Sequence, residues 1–136
     1  MKIVLDTNVA ACFVIGASGF AEEADRLIRL ATVAMAPSLW EAELANVVWL
    51  AIRAGVLQPD EAAARLREAT HLGIVSVETR PLCHGALRRS LASGIAVHDT
   101  LFVELAVRER CPLATFDKAV LKAFPDVAKR PGDILP

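Results

Sequence analysis

The sequence has few of the features that mark secreted, membrane or zinc-binding proteins. Its three cysteines, Cys12, Cys83 and Cys111, are odd in number, widely separated and in no Cys-x-x-Cys pair. This pattern excludes a disulfide framework and offers no zinc ligand set. No segment approaches the roughly 20 apolar residues that cross a bilayer, and the acid at position 6 comes too early for a secretory signal peptide. We therefore expect a soluble cytoplasmic protein with reduced thiols and no membrane partner.

An excess of charge of either sign is also missing, since 15 basic residues face 16 acidic ones. This balance argues against non-specific coating of nucleic acid, although local pairs such as Arg88-Arg89 and Lys129-Arg130 leave nucleic acid open as a substrate. Apolar residues, in contrast, make up 54% of the chain. That surplus predicts a large core, a self-association face or a groove for a hydrophobic partner.

Short apolar segments alternate with amphipathic ones along the whole chain. Strands are predicted at 3–5, 32–36, 74–77 and 113–116, with an edge strand at 127–129. Helices are predicted at 21–31, between Ser38 and Gly55, and at 59–70, 82–91, 97–109 and 117–124. This alternation is typical of the α/β class, here a three-layer α/β/α sandwich with a four- to five-stranded parallel sheet. The length and the absence of linkers or repeats predict one domain over residues 1–136.

Four acids fall where such a sheet collects its ligands, at the carboxyl ends of strands or in the helices that begin there. Asp6 ends the first strand and Asp117 ends the fourth. Glu43 lies early in the helix after the second strand, and Asp99 lies in the first turn of the helix that begins near Val97. An acid in a first helical turn can simply complement the helix dipole, but an acid that ends a buried strand is desolvated unless something pairs with it.

The spacing of residues along the helix that begins near Val97 predicts which way the Asp99 side chain points. It shares a helical face with Phe102, Val103 and Ala106, so we expect it to point toward the packed interior.

Clustering of the four acids would be costly without a counter-charge. At about 6 Å, each pair repels by roughly 3 kcal/mol at an effective dielectric near 20, and six such pairs would exceed the roughly 5–15 kcal/mol stability of a domain. The cluster must therefore hold protons or cations, and Lys118 is the basic residue beside it in the sequence. Oxygen ligands suit Mg²⁺ or Mn²⁺, which activate water and shield charge in phosphodiester cleavage. Thr7, Asn8 and Thr115 border the acids and could hold water or phosphate, or serve turns and caps.

Four stretches resemble the PIN domain, and more closely the VapC-type toxin of bacterial and archaeal toxin–antitoxin pairs. They are K-I-V-L-D-T-N-V at the start, P-S-L-W-E-A-E-L-A-N-V-V at 37–48, V-H-D-T-L-F-V-E-L-A at 97–106 and L-A-T-F-D at 113–117. The resemblance covers nearly the whole chain, with the stretches in the family's order.

The resemblance implies an α/β/α sandwich and a divalent-metal-dependent endoribonuclease that inhibits translation by cleaving structured RNA. It implies a cognate antitoxin and a homodimer, which would absorb some of the apolar surplus. The family's acids fall on Asp6, Glu43, Asp99 and Asp117, and its hydroxyl neighbour falls on Thr115. The pattern Glu-x-x-Asn selects Glu43, with Asn46, over Glu41.

Two positions depart from the family's usual pattern: His98 replaces a frequent aromatic residue and Thr100 a frequent alanine. For His98 we favour a hydrogen-bonded role at the helix start over contact with RNA or titration near neutral pH. Trp49 lies off the main apolar stripe of its helix; we favour burial in the core over exposure to a partner.

Two other functions compete with the nuclease. In a phosphoacceptor or phosphatase, Asp6 would be the nucleophile and Lys118 its charge partner, although the sequence lacks the Asp-x-Asp arrangement that many such enzymes use. In a non-catalytic binding module, the acids would be structural and the apolar surface would recruit a partner.

Overall fold

The computed structural model of the chain describes residues 1–16 and 19–136. The strands are, in chain order, β1 (Lys2–Leu5), β2 (Val33–Pro37), β3 (Val75–Val77), β4 (Leu113–Ala114) and β5 (Ala128–Lys129). They form one sheet in the order β3-β2-β1-β4-β5, and every neighbouring pair is parallel. The α/β class is confirmed, and the edge strand predicted near 127–129 is the fifth strand.

Helices cover both faces of this sheet. They are α1 (Thr7–Ile15), α2 (Phe20–Leu30), α3 (Trp40–Arg53), α4 (Pro59–Thr70), α5 (Cys83–Ser93), α6 (Val97–Glu109), α7 (Lys118–Ala123) and α8 (Pro131–Ile134), with a 3-10 turn at Arg80–Leu82. Successive side chains of a strand point to opposite faces. In β1, Val4 joins the apolar cluster of α3 and α6, whereas Ile3 and Leu5 join the cluster that contains Leu27 of α2. The predicted α/β/α layering is therefore confirmed.

Helix α1 has no counterpart among the helices predicted from the sequence. Its residues are apolar on almost every side, so no polar face marks a helical period. The structure buries Val9, Ala10, Ala11 and Val14 together, because this helix packs against α2, α3 and α4. A helix enclosed by neighbours needs no polar stripe.

Strand β4 is shorter than the predicted segment 113–116. Beyond Ala114 the Thr115 amide still donates to the Lys129 carbonyl at 3.0 Å, while other polar groups of Thr115 and Phe116 bond to the residues that follow β1. The Thr115 hydroxyl donates to Asp6, and the Phe116 amide donates to the Asn8 side chain. The chain leaves the sheet at the point where the candidate site begins.

Trp49 is half exposed rather than buried in the core, so that expectation is wrong. It lies on the opposite side of α3 from the buried residues Leu44, Val48 and Ala51. The Arg53 guanidinium lies 5.0 Å from the centre of its ring, and one turn of helix brings the two together.

Within the part of the chain that the structure describes, no single helix is long and apolar enough to cross a membrane. The segments Arg80–Ser93 and Val97–Glu109 reach that length only together, and they meet at a bend of 114°.

Candidate active site

The carboxyl ends of β1 and β4 lie side by side in the middle of the sheet. Asp6 follows β1, and its amide continues the pairing by donating to the carbonyl of Ala114 at 3.0 Å. Asp6 is only 7% exposed. Little water reaches the Asp6 carboxylate, because Asp6 follows a central strand of a sheet that helices cover on both faces.

A network of hydrogen bonds fixes the orientation of the Asp6 carboxylate. Thr115 Oγ1 donates to Asp6 Oδ2 at 2.8 Å, and Asn8 Nδ2 reaches the same oxygen at 3.4 Å. Thr115 Oγ1 also accepts a hydrogen bond from the Asp117 amide at 3.0 Å. The Thr115 hydroxyl has one hydrogen, which it donates to Asp6, so its oxygen can only accept the hydrogen bond from the Asp117 amide. The ends of β1 and β4 are locked together by side chains.

A cleft of about 370 Å³ opens in front of Asp6. Its lining residues are Asp6, Thr7, Asn8, Ala11, Glu43, Asn46, Val47 and Asp99. Three of the four acids therefore share one cleft, and no lysine or arginine lines it in the described structure. Thr7 and Asn8, which border the acids in the sequence, and Asn46 of the Glu-x-x-Asn pattern also line the cleft. Thr115 contacts it through its hydrogen bond to Asp6.

The structure places Glu43, and not Glu41, in this cleft. Thr7 Oγ1 donates to Glu43 Oε1 at 3.0 Å, which ties the start of α1 to the first turn of α3. Glu41 is exposed and instead accepts a hydrogen bond from Ser76 Oγ at 2.6 Å. Two residues of helix rotate a side chain by about 200°, so these two glutamates serve different surfaces.

Asp99 lies at the mouth of the cleft, with 27% of its side chain exposed. The expectation that it would point into the packed interior is only partly right. The first turn of α6 extends beyond the core: residues 97 and 98 are exposed, and full burial begins at Thr100. Asp99 is therefore accessible to an ion or substrate from solvent.

Asp117 occupies a different position from the other three acids. Its Oδ1 accepts hydrogen bonds from the amides of Ala119 and Val120, so it caps the N-terminus of α7. It is absent from the cleft lining, yet its charge acts on Asp99. The four acids therefore do not form one compact group: three share the cleft, and Asp117 lies outside it, next to Asp99.

The cleft raises the pKa of each of the three carboxyls that line it. Burial raises the pKa of Asp6 from 3.8 to about 7, opposed by the Thr115 hydrogen bond and assisted by the charges of Asp99 and Glu43. Burial also raises the pKa of Glu43, with the Thr7 hydrogen bond and His98 acting against it and Asp99 in the same direction. The pKa of Asp99 is raised by burial and by Asp117.

His98 lies beside this cleft. Its Nε2 lies 3.5 Å from Asp99 Oδ1, and its side chain is 60% exposed. Its charge lowers the pKa of both Glu43 and Asp99. Lys118, which the sequence suggested as the basic neighbour, is an exposed residue of α7.

The donor set of the cleft fits a hard, hydrated divalent ion. Within residues 1–16 and 19–136, no three His, Cys, Asp or Glu side chains converge into a complete ligand group. Mg²⁺ does not need one, because it keeps several waters and is bound through one or two carboxylates. Buried Asp6 faces Glu43 and Asp99 across a cleft with room for water, and its high pKa is the physical sign that a cation there would be stabilising. The residues present therefore suit Mg²⁺ or Mn²⁺ better than zinc.

Comparison with known proteins identifies the family, since residues 3–129 match the model of the PIN domain. The chain belongs to the PIN-domain family. It is also similar to Ribonuclease VapC3 of Pyrobaculum aerophilum, with 28% identity over 127 residues that cover 92% of this chain and 96% of that protein. The resemblance to VapC-type PIN proteins drawn from the four sequence stretches is thereby supported.

Sequence reasoning gave one neighbour of this PIN-domain cleft a different role and missed part of the cleft wall. For His98 it favoured a hydrogen bond at the helix start over contact with RNA or titration, although the place of His98 beside Asp99 could have suggested a counter-charge. Ala11 lies on the unpredicted helix α1, so nothing in the sequence pattern placed it beside the acids.

Proposed function

We propose that this protein is a divalent-metal-dependent endoribonuclease and the toxin of a toxin–antitoxin pair. The observation that carries the proposal is the buried carboxylate of Asp6, with a pKa of about 7, in a cleft shared with Glu43 and Asp99. A strongly perturbed group in a cleft at the carboxyl edge of a parallel sheet is a candidate for function rather than stability. Membership of the PIN-domain family and similarity to a VapC ribonuclease support the choice of RNA.

Asp6, Glu43 and Asp99 would hold Mg²⁺ or Mn²⁺, with Asp117 at the edge of the group. When bound, such an ion makes water a better nucleophile and offsets the charge that develops on a phosphodiester. The chain's own residues prepare the site. Thr115 and Asn8 orient the Asp6 carboxylate, and Thr7 orients that of Glu43.

The biological setting follows from the same family relation. We propose that the chain acts as one domain over residues 1–136 in the cytoplasm, inhibits translation by cutting RNA, and is neutralised by a cognate antitoxin. Its exposed apolar side chains, among them Trp49 and Leu50 of α3, would suit a homodimer or an antitoxin contact.

Replacement of Glu43 by glutamine, with the same replacement of Glu41 as a control, tests the enzyme directly. Purified wild type, Glu43→Gln and Glu41→Gln are incubated with total RNA in Mg²⁺, in Mn²⁺ and with a chelator. We expect Glu43→Gln to lose at least about 100-fold in cleavage rate, comparable with the loss of one electrostatic stabiliser, whereas Glu41→Gln keeps its activity. Cleavage that survives the chelator, or equal losses in both variants, would contradict the proposal.

A non-catalytic binding module remains the second candidate, because no three described side chains form a complete metal-ligand group. Calorimetry with MgCl₂ and MnCl₂ distinguishes the two functions. An absence of binding heat together with an absence of RNA cleavage would favour the binding module.

A further inference from the structure

Three planar side chains lie together beside the candidate active site. The rings of Phe20 and Phe116 are 4.8 Å apart between centres and tilted by 41°. The Arg130 guanidinium carbon lies 4.8 Å from the Phe20 ring centre and 5.9 Å from that of Phe116. Phe20 is 42% exposed. We call Phe20, Phe116 and Arg130 the aromatic platform.

A salt bridge between Arg130 and Glu23 holds the platform in place. Arg130 Nε donates to Glu23 Oε1 at 2.8 Å, and Nη2 donates to the same oxygen. The other oxygen of Glu23 accepts the Gly132 amide at 2.7 Å. This ion pair holds the guanidinium beside the Phe20 ring. The platform therefore offers a flat, preorganised surface.

The platform adjoins the cleft through the backbone of Phe116. Phe116 lies between Thr115 and Asp117, and its amide donates to Asn8 Oδ1 at 3.1 Å. Asn8 in turn lines the cleft and contacts the Asp6 carboxylate. The backbone of Phe116 thus borders the cleft at Asn8, and its ring belongs to the platform.

We propose that the aromatic platform is a nucleobase-stacking subsite for single-stranded RNA next to the cleaved phosphate. This inference rests on the proposed endoribonuclease function. Unpaired bases bind proteins by stacking on aromatic rings and on guanidinium planes, and they do so with little preference for sequence. Planar π surfaces match a base better than they match an aliphatic protein segment. The subsite would give the cleft, which no described lysine or arginine lines, a second means of holding RNA.

Binding of short RNA tests the subsite without interference from cleavage. The probe is a fluorescein-labelled ten-nucleotide single-stranded RNA, measured in Mg²⁺ with chains that all carry Asp99→Asn. Phe20→Leu removes the ring and keeps an apolar side chain, and Phe20→Trp keeps a stacking surface. We expect Phe20→Leu to weaken binding by about 5- to 100-fold, the usual effect of losing one stacked base, and Phe20→Trp to bind within about twofold of the parent.

The matched control is Leu30→Ala, which removes an exposed apolar side chain from the other end of α2. It should leave the affinity unchanged. A second RNA that lacks one base should bind the parent more weakly, by the same factor as the ring deletion. Phe20→Leu should not weaken the binding of this second RNA further, because the missing base and the missing ring belong to the same contact. If Phe20→Leu does not fold, Arg130→Gln replaces it, with an expected loss of about 2- to 10-fold.

The outcomes separate this inference from the function on which it rests. A wild type that cleaves RNA in Mg²⁺ while Phe20→Leu binds RNA as tightly as the parent overturns the subsite alone. A wild type that neither binds nor cleaves RNA overturns both. In a cleaving wild type, Phe20→Leu should raise KM by the same factor as Kd and change kcat little.

Discussion

Asp6 and Glu104 are both carboxylates enclosed by the protein, 7% and 5% exposed, but their surroundings are opposite. Glu104 accepts hydrogen bonds from Arg89 at 2.7 Å and from Arg108 at 3.0 Å. Burial raises the pKa of Glu104, but these two arginines outweigh it and hold the pKa below its usual value. Asp6 receives only neutral hydrogen bonds, and its pKa rises to about 7.

The difference shows how one small domain separates structural from functional charge. Glu104 joins α5 to α6, and Arg89 and Arg108 neutralise its charge, so it needs no counter-ion from solvent. The carboxylate of Asp6 lacks a cationic partner among the described residues, and the nearby charges of Asp99 and Glu43 make its ionised form still less favourable. A buried charge whose counter-charge is missing from the fold is ready to receive one from an ion.

The largest effect on stability is expected from Asp6→Asn in the absence of divalent ions. Because the folded-state pKa of Asp6 is raised, the wild type loses stability as the pH rises from about 4 to about 7, when the folded protein must release this proton. A rise from 3.8 to about 7 corresponds to roughly 4 kcal/mol. The asparagine can accept the Thr115 hydrogen bond without a charge. Urea unfolding should show the variant more stable at pH 8 and equal to the wild type near pH 4.

An Asp6→Asn chain that is less stable than the wild type at pH 8 would contradict the assignment of an unneutralised charge to this position.

Glu104→Gln is expected to do the reverse. Removal of one partner from a buried ion pair destabilises a protein by about 3–5 kcal/mol, but Arg89 and Arg108 are partly exposed, so we expect about 2 kcal/mol here. Because the folded-state pKa of Glu104 is lowered, its contribution is present above about pH 4.5 and is lost as the pH falls below that value. The same unfolding series should therefore show two variants with opposite dependence on pH. A loss that does not shrink as the pH falls through the folded-state pKa of Glu104 would show packing, and not charge, as its cause.

Gly85→Ala tests the shape of the Glu104 pocket. A methyl group at Gly85 would lie 2.2 Å from the carboxyl carbon of Glu104, which the two arginines hold in place. We expect a loss of about 1–2 kcal/mol, typical of overpacking. The loss should shrink in a Glu104→Ala background, where the space is free. Gly19→Ala is the matched control, since nothing lies within 4 Å of its added methyl group.

The smallest effect on stability is expected from the addition of MgCl₂ or MnCl₂, which compares Asp6 and Glu104 most directly. At ten times the dissociation constant, a bound ion stabilises the folded state by about 1.4 kcal/mol, which raises Tm by a few degrees. The wild type and Glu104→Gln should both show this rise, and Asp6→Asn should not. An equal rise in all three proteins would place the ion elsewhere.

The parts of the fold that could be predicted from the sequence are those whose residues carry a periodic pattern. The alternation of short apolar strands with amphipathic helices predicted the parallel sheet, and its carboxyl edge predicted which acids would meet. Helix α1 escaped prediction because tertiary packing buries it on almost every side. The position of Trp49 was misjudged because the pattern does not say whether a residue off the main stripe has a neighbour to pack against.

The sequence by itself determined the class of fold and the placement of Asp6, Glu43 and Asp99 at one edge of the sheet, because side-chain period and strand direction are local properties. Only the tertiary structure decided that Asp117 caps α7 at the border of the cleft, that His98 stands among the acids, and that Phe20 meets Phe116 and Arg130. These contacts join residues as far apart in the sequence as Phe20 and Arg130, 110 positions, or neighbours whose rotamers depend on packing. No local pattern encodes such distances.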